Sequence, residues 1–161
     1  MMKKTMGNTS EGNEKRKRVQ VVRLEMIKER SELFATNKIT SPRDAASILA
    51  DFLAGADRET LVVLCLDTKH KVNAINIVGI GSINSAIVHP REVFKPAILS
   101  NSAAIIVGHN HPSGDSSLSK EDAGIARRLS EAGAILGIEV LDSLAIGDDG
   151  SFSSSKEQGL L

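Results

Sequence analysis

The chain has 161 residues, enough for one domain with a sizeable core, and its 20 basic residues balance 20 acidic ones to a formal net charge of zero. That balance creates no overall field to recruit nucleic acid, and the absence of Trp and Tyr, with only 4 Phe, removes the aromatic faces on which single strands stack. The lone cysteine, Cys65, permits no intrachain disulfide and reads as a buried thiol of a reducing compartment, and no apolar stretch approaches the length of a membrane span.

Residues 1–18 are polar and charged, with the basic run Lys15-Arg16-Lys17-Arg18 diluted by Glu11 and Glu14, and read as a disordered tail. No hydrophobic region follows to make it a signal peptide, so a soluble, cytoplasmic protein with no membrane partner is expected. Residues 19–40 are an N-terminal extension in which Val19, Val21, Leu24 and Met26 suggest an early strand. Ser41 as cap and Pro42 at the first helical position then open a helix, with Ala45, Ile48, Leu49, Phe52 and Leu53 on one face and Gly55 as its stop. Residues 61–66 and 72–78 read as strands joined in a hairpin by Asp67-Thr68-Lys69-His70. Gly79-Ile80-Gly81 loosens the chain before a short strand ending at His89; with no Gly-Lys-Ser/Thr after it, it is not a phosphate loop. His89 can cap a helix from Pro90 whose Val93, Phe94, Ala97 and Ile98 face inward, and Pro96 should kink or shorten that helix. A further helix from Ser119 to Leu136 buries Ile125, Leu129, Ala132 and Leu136 and ends at Gly137. Residues 138–141, 144–146 and Phe152, around the turn Gly147-Asp148-Asp149-Gly150, read as paired terminal strands. The fold class is α/β, a single domain with a mixed, curved sheet of about six strands flanked by helices.

Between the last two helices lies His109-Asn110-His111-Pro112-Ser113-Gly114-Asp115, with Ser119 and Asp122 following. The apolar run Ala103-Ala104-Ile105-Ile106-Val107-Gly108 is a buried strand that delivers both histidines at its C-terminal end. Side chains i and i+2 of an extended segment point the same way, so the two imidazoles can share one ion while Asn110 faces elsewhere. Pro112 and the turn Ser113-Gly114-Asp115 end the strand. Asp122 offers a third ligand from another element, and three protein ligands leave one tetrahedral position of a zinc ion for water, which separates a catalytic site from a structural one. Ser119-Lys120-Glu121-Asp122 is equally a capping box, in which Ser119 starts the helix and Asp122 serves backbone N–H groups.

The stretch His-Asn-His-Pro-Ser-Gly-Asp with the trailing Ser119 and Asp122 resembles the JAMM motif of the JAB/MPN metallopeptidases, in the form found in their bacterial RadC-like branch. Ser41-Pro42-Arg43-Asp44-Ala45, Leu66-Asp67-Thr68-Lys69 and Val88-His89-Pro90-Arg91-Glu92-Val93-Phe94 are similar to the same branch. The resemblance runs over residues 19–161, with the JAB/MPN domain itself at 41–161. It implies a cytidine-deaminase-like fold and a zinc ion on His109, His111 and Asp122, with Ser119 hydrogen-bonding the developing oxyanion. It also implies a glutamate general base just before an early strand; the matching position is Glu59, and Glu92 is its rival. Leu118 stands where many relatives carry proline, and Asp142-Ser143 where they show Asp-His; neither departure removes a ligand.

The activity so implied is that of a zinc-dependent metallopeptidase hydrolysing a peptide or isopeptide bond in a peptide or protein substrate. Two other readings stand beside it, a DNA-repair or recombination accessory and a non-catalytic MPN scaffold. Zero net charge and scarce aromatics make direct nucleic-acid binding unexpected, as do the few residues before position 41, too few for the helix-hairpin-helix module that such relatives often carry upstream. Intact His109, His111 and Asp122 weigh against the scaffold.

Overall fold

Seven consecutive residues, Thr60–Leu66, form strand β1, and all seven are buried because both faces of the strand are covered. The computed structural model describes residues 15–83 and 88–161. Helix α1 (Pro42–Leu53) precedes β1, and β2 (Val72–Ile80), α2 (Pro90–Leu99), β3 (Ala104–Asn110), α3 (Lys120–Leu136), β4 (Glu139–Ile146) and β5 (Phe152–Ser154) follow. β1 pairs antiparallel with β2 and with β3, β3 runs parallel to β4, and β5 is antiparallel to β4. The result is one mixed sheet in the order β2-β1-β3-β4-β5. The single parallel step needs a crossover connection, which α3 supplies.

Alternation along β1 and β3 divides the core in two. Val62, Leu64, Leu66 and Ile106 face α1, against Ala45, Ile48 and Leu49. Leu61, Val63, Cys65, Ile105 and Val107 face α2 and α3, against Val93, Phe94, Ile125 and Leu129. Gly108 lets α1 approach the sheet closely, since a Cβ there would land on the side chain of Leu49. The end of β3 is thereby gripped just before its first histidine.

Helix starts follow their sequence signals. Ser41 and Asp44 form a capping box on α1, Pro42 is its first residue, and His89 caps α2 through its side chain, which accepts from Arg91 N–H. Pro96 lies inside α2, which continues to Leu99. Ile98 and Leu136, expected to face inward, are 53% and 47% exposed because each sits in the last turn of its helix, where the chain leaves the sheet.

Other expectations need correction. Residues 19–34 form no strand: Val19, Val21 and Leu24 are exposed, and the extension touches the domain through Arg30 over the Phe52 ring, Phe34 and the Lys38–Lys71 bridge. Apolar alternation without a ladder partner does not make a strand. The strand expected to end at His89 falls mostly on residues 84–87, outside the described residues, as does the expected tail up to residue 14. Among the described residues the sheet has five strands rather than about six. The pieces expected at 138–141 and 144–146 are one strand, β4, whose register against β3 slips between Ile105 and Ile106. This bulge turns Val140 to the α2/α3 core and Leu144 and Ile146 to the α1 core.

Candidate metal centre

Strand parity builds the site. Ile105 and Val107 face the α2/α3 core, so His109 and His111, two and four positions on from Val107, emerge on that same side. His111 N–H donates to the Ile146 carbonyl at 2.9 Å, which carries the ladder with β4 one residue past the end of β3. On the other flank Leu61 lies opposite His109, and the same register extended by two residues sets Glu59 opposite His111, on one face. The first turn of α3 brings Asp122 to the histidines. The start of β1, the end of β3 and the start of α3 therefore meet.

His109 Nε2 and His111 Nε2 are 2.8 Å apart. Asp122 Oδ1 lies 3.2 Å from His109 Nε2, and its Oδ2 lies 3.7 Å from His111 Nε2. Glu59 joins them, with a carboxylate oxygen and one nitrogen of each ring all within 4.8 Å of one another. Glu59, His109 and His111 could hold a metal ion on this geometry. The four residues read from the sequence as ligands and base are thus gathered, Asp122 against both histidines and Glu59 within reach of both.

The donor chemistry fits a divalent cation. His111 Nδ1 is 2.6 Å from the Asp115 carbonyl, an acceptor, so Nδ1 carries a proton and Nε2 is the nitrogen that a metal ion would take. Two ring nitrogens at 2.8 Å need a shared proton or a cation between them to be stable. Ligands of a tetrahedral zinc ion, bonded at about 2.0–2.1 Å, stand roughly 3.3 Å apart. The spacings here, from 2.8 to 3.7 Å, bracket that value.

Asp122 is both cap and site residue. Its Oδ2 accepts from Ser119 N–H at 2.8 Å while Ser119 Oγ accepts from Asp122 N–H at 3.0 Å, and its Oδ1 faces His109. Burial pushes the carboxyl up, but the His109 hydrogen bond, the Ser119 N–H and attraction to His109 outweigh it and hold the group well below the usual carboxylate range. It remains an anion, as a ligand must. Glu59, His111, Ser119 and Asp122 line an open cleft of about 300 Å³ with Pro112 and Ser113. Glu92 is elsewhere: it is exposed on the first turn of α2, paired with Lys95 at 2.7 Å, and the Lys95 hydrogen bond lowers its pKa.

Sequence reasoning missed two members of this neighbourhood. The Asp115 carbonyl is a backbone group with no side-chain signature, and Asn110 lies on the strand face opposite the two histidines. Its amide, flanked by two histidines of fixed parity, was the available signal.

The RadC-like JAB domain family matches residues 39–160, a span that contains Glu59, His109, His111, Ser119 and Asp122. This chain belongs to that family. It is 54% identical over 123 residues to a UPF0758 protein of Moorella thermoacetica, an alignment covering 76% of this chain and 53% of the relative. A UPF0758 protein of Shouchella clausii is 52% identical over 121 residues, 75% of this chain and 52% of the relative. One from Methanosarcina barkeri is 40% identical over 150 residues, 91% of this chain and 65% of the relative. The chain spans about half the length of the first two of these curated relatives. The JAB match agrees with the single α/β domain and its mixed sheet. Among the described residues no helix is long and apolar enough to cross a membrane.

Proposed function

We propose that this RadC-like JAB domain is a zinc-dependent metallopeptidase that hydrolyses a peptide or isopeptide bond. The observation that carries the reading is the convergence of Glu59 on the His109–His111 pair, beside a buried Asp122. His109, His111 and Asp122 would hold the ion, and Glu59 is left for proton transfer. When bound, the ion supplies Lewis acidity, which lowers the pKa of a water molecule and polarises a carbonyl. Glu59 Oε2 accepts from Ile83 N–H at 3.4 Å, and the carboxylate lies within reach of both histidines. It takes a proton from the attacking water and returns it to the departing amine. Ser119 Oγ accepts from Asp122 N–H, which leaves its O–H free to donate to the substrate carbonyl oxygen as negative charge grows there. The cleft takes a peptide or protein rather than nucleic acid or membrane, and the setting is the cytoplasm, where Cys65 stays reduced.

Zinc-loaded chain should retain about one ion per monomer, and His109→Ala or Asp122→Ala should lose it. On a panel of peptide and isopeptide conjugates, Glu59→Gln should keep zinc and fold while turnover falls by about two to four orders of magnitude, and Glu92→Gln should change little. Stoichiometric zinc in both ligand variants would overturn the ligand assignment. Activity kept in Glu59→Gln and lost in Glu92→Gln would move the base to Glu92. A zinc-loaded wild type that cleaves no member of the panel would favour the scaffold.

A further inference from the structure

Strand alternation turns Asn110 to the face opposite His109 and His111, where it cannot share their ion. Its amide instead spans two strands. Oδ1 accepts from Thr60 N–H at 2.7 Å, and Nδ2 donates to the Arg58 carbonyl at 3.0 Å. The two groups it binds belong to the residues on either side of Glu59. On the β3 side of β1 the backbone ladder reaches only as far as Leu61 opposite His109, so the Asn110 side chain replaces the next rung. The Glu59 carbonyl accepts from Gly81 N–H at 2.8 Å, which ties the same residue to the end of β2.

We propose that Asn110 is a positioning residue that fixes the Glu59 carboxylate against the histidine pair. An amide presents one acceptor and one donor at the separation these neighbouring peptide groups require; alanine answers neither and aspartate only the first. Where the Glu59 side chain points depends on the backbone angles of residues 58–60, which the two bonds restrain. Displacing a reacting group by about 1 Å can cost on the order of a hundredfold in rate. The motif His-Asn-His thus does two jobs with one stretch of strand: its outer residues would hold the ion, and its middle residue reaches back to hold the base. The catalytic consequence rests on the metallopeptidase reading; the clamp on residues 58–60 does not.

The experiment therefore has two arms. Amide hydrogen exchange on the full chain without metal reads the clamp itself. Protection of Thr60 N–H should drop about tenfold in Asn110→Ala and stay near wild type in Asn110→Asp, which keeps the acceptor, with circular dichroism showing both variants folded. Unchanged Thr60 protection in Asn110→Ala would overturn the proposal. The second arm is a double-mutant cycle on the zinc-loaded enzyme with whichever conjugate it cleaves. Asn110→Ala should lower kcat about 10- to 100-fold with KM within about threefold, and should add less than about threefold to the loss already present in Glu59→Gln. Additive losses would show that Asn110 does not act through Glu59 and would overturn it equally. A wild type without hydrolytic activity would count against the metallopeptidase reading alone, and the exchange result would then decide the clamp.

Discussion

Cys65 lies in β1 with no accessible surface, and burial pushes its thiol from an ordinary 9.0 up to about 11, against the smaller opposing hydrogen bonds of Ser100 and Ser102. Because the folded value is the higher one, the protonated thiol supports the fold fully below about pH 9, and that support is lost as the pH rises towards about 11. At pH 8 the native thiol should alkylate at least about a hundredfold more slowly than in the unfolded chain, and the denaturant midpoint should fall between pH 9 and 11. Rapid alkylation with the helical signal intact would contradict this account of its burial. That His109 and His111 share a face is a property of any extended segment, so the pair is legible locally. Asn110 finds its partners 50 and 52 positions away, and no local pattern announces them. Glu59 is intermediate: its acidity is visible, but only family resemblance selected it over Glu92, before the fold brought it to the histidines.

At the scale of elements, the start of α3 couples helix stability to chemistry, because one residue, Ser119, caps the helix and faces the cleft. Ser119→Ala removes the acceptor for Asp122 N–H and should cost about 1 kcal/mol, a fall in Tm of roughly 2–4 °C for a chain of this size. Ser119→Asp restores a capping oxygen without a hydroxyl proton, so the melt should recover while turnover stays low. Turnover that recovers with the melt would remove Ser119 from the oxyanion role, and an unchanged melt in the alanine variant would remove it from the cap. Caps are why the helices were legible: Ser41 with Pro42, His89 with Pro90 and Ser119 with Asp122 are short-range signals. β4 was not, because Asp142-Ser143 interrupts its apolar run. Both residues are buried, and the Asp142 carboxylate is satisfied by Ser143 N–H, Lys156 N–H and the Ser154 hydroxyl, two of them supplied from β5 and the segment after it. The bulge that switches its inward face removed the remaining periodicity. In the N-terminal extension the alternation at Val19 and Val21 is visible locally, but no neighbouring strand pairs with it among the described residues.

For the molecule as a whole, the candidate centre sits where the sheet's inner strands end, while apolar cores lie on both faces beneath α1 and beneath α2 with α3. Those cores draw on β1, β3 and β4 and contain no ligand residue, so the fold does not depend on an ion to bury its apolar surface. An ion would nevertheless stabilise it, because the folded chain gathers Glu59, His109, His111 and Asp122 from separate elements and the unfolded chain scatters them. At a free zinc concentration about a thousandfold above Kd, binding contributes roughly 4 kcal/mol. At about 2–4 °C per kcal/mol, stripping the ion with a chelator should lower Tm by roughly 8–16 °C. The far-ultraviolet circular dichroism of the stripped protein at 25 °C should stay native, and zinc should restore the melt in wild type but not in His109→Ala. A melt unmoved by proven loss of zinc would break the coupling between site and fold. A stripped protein already unfolded at 25 °C would break the opposite claim, that the two cores stand without it.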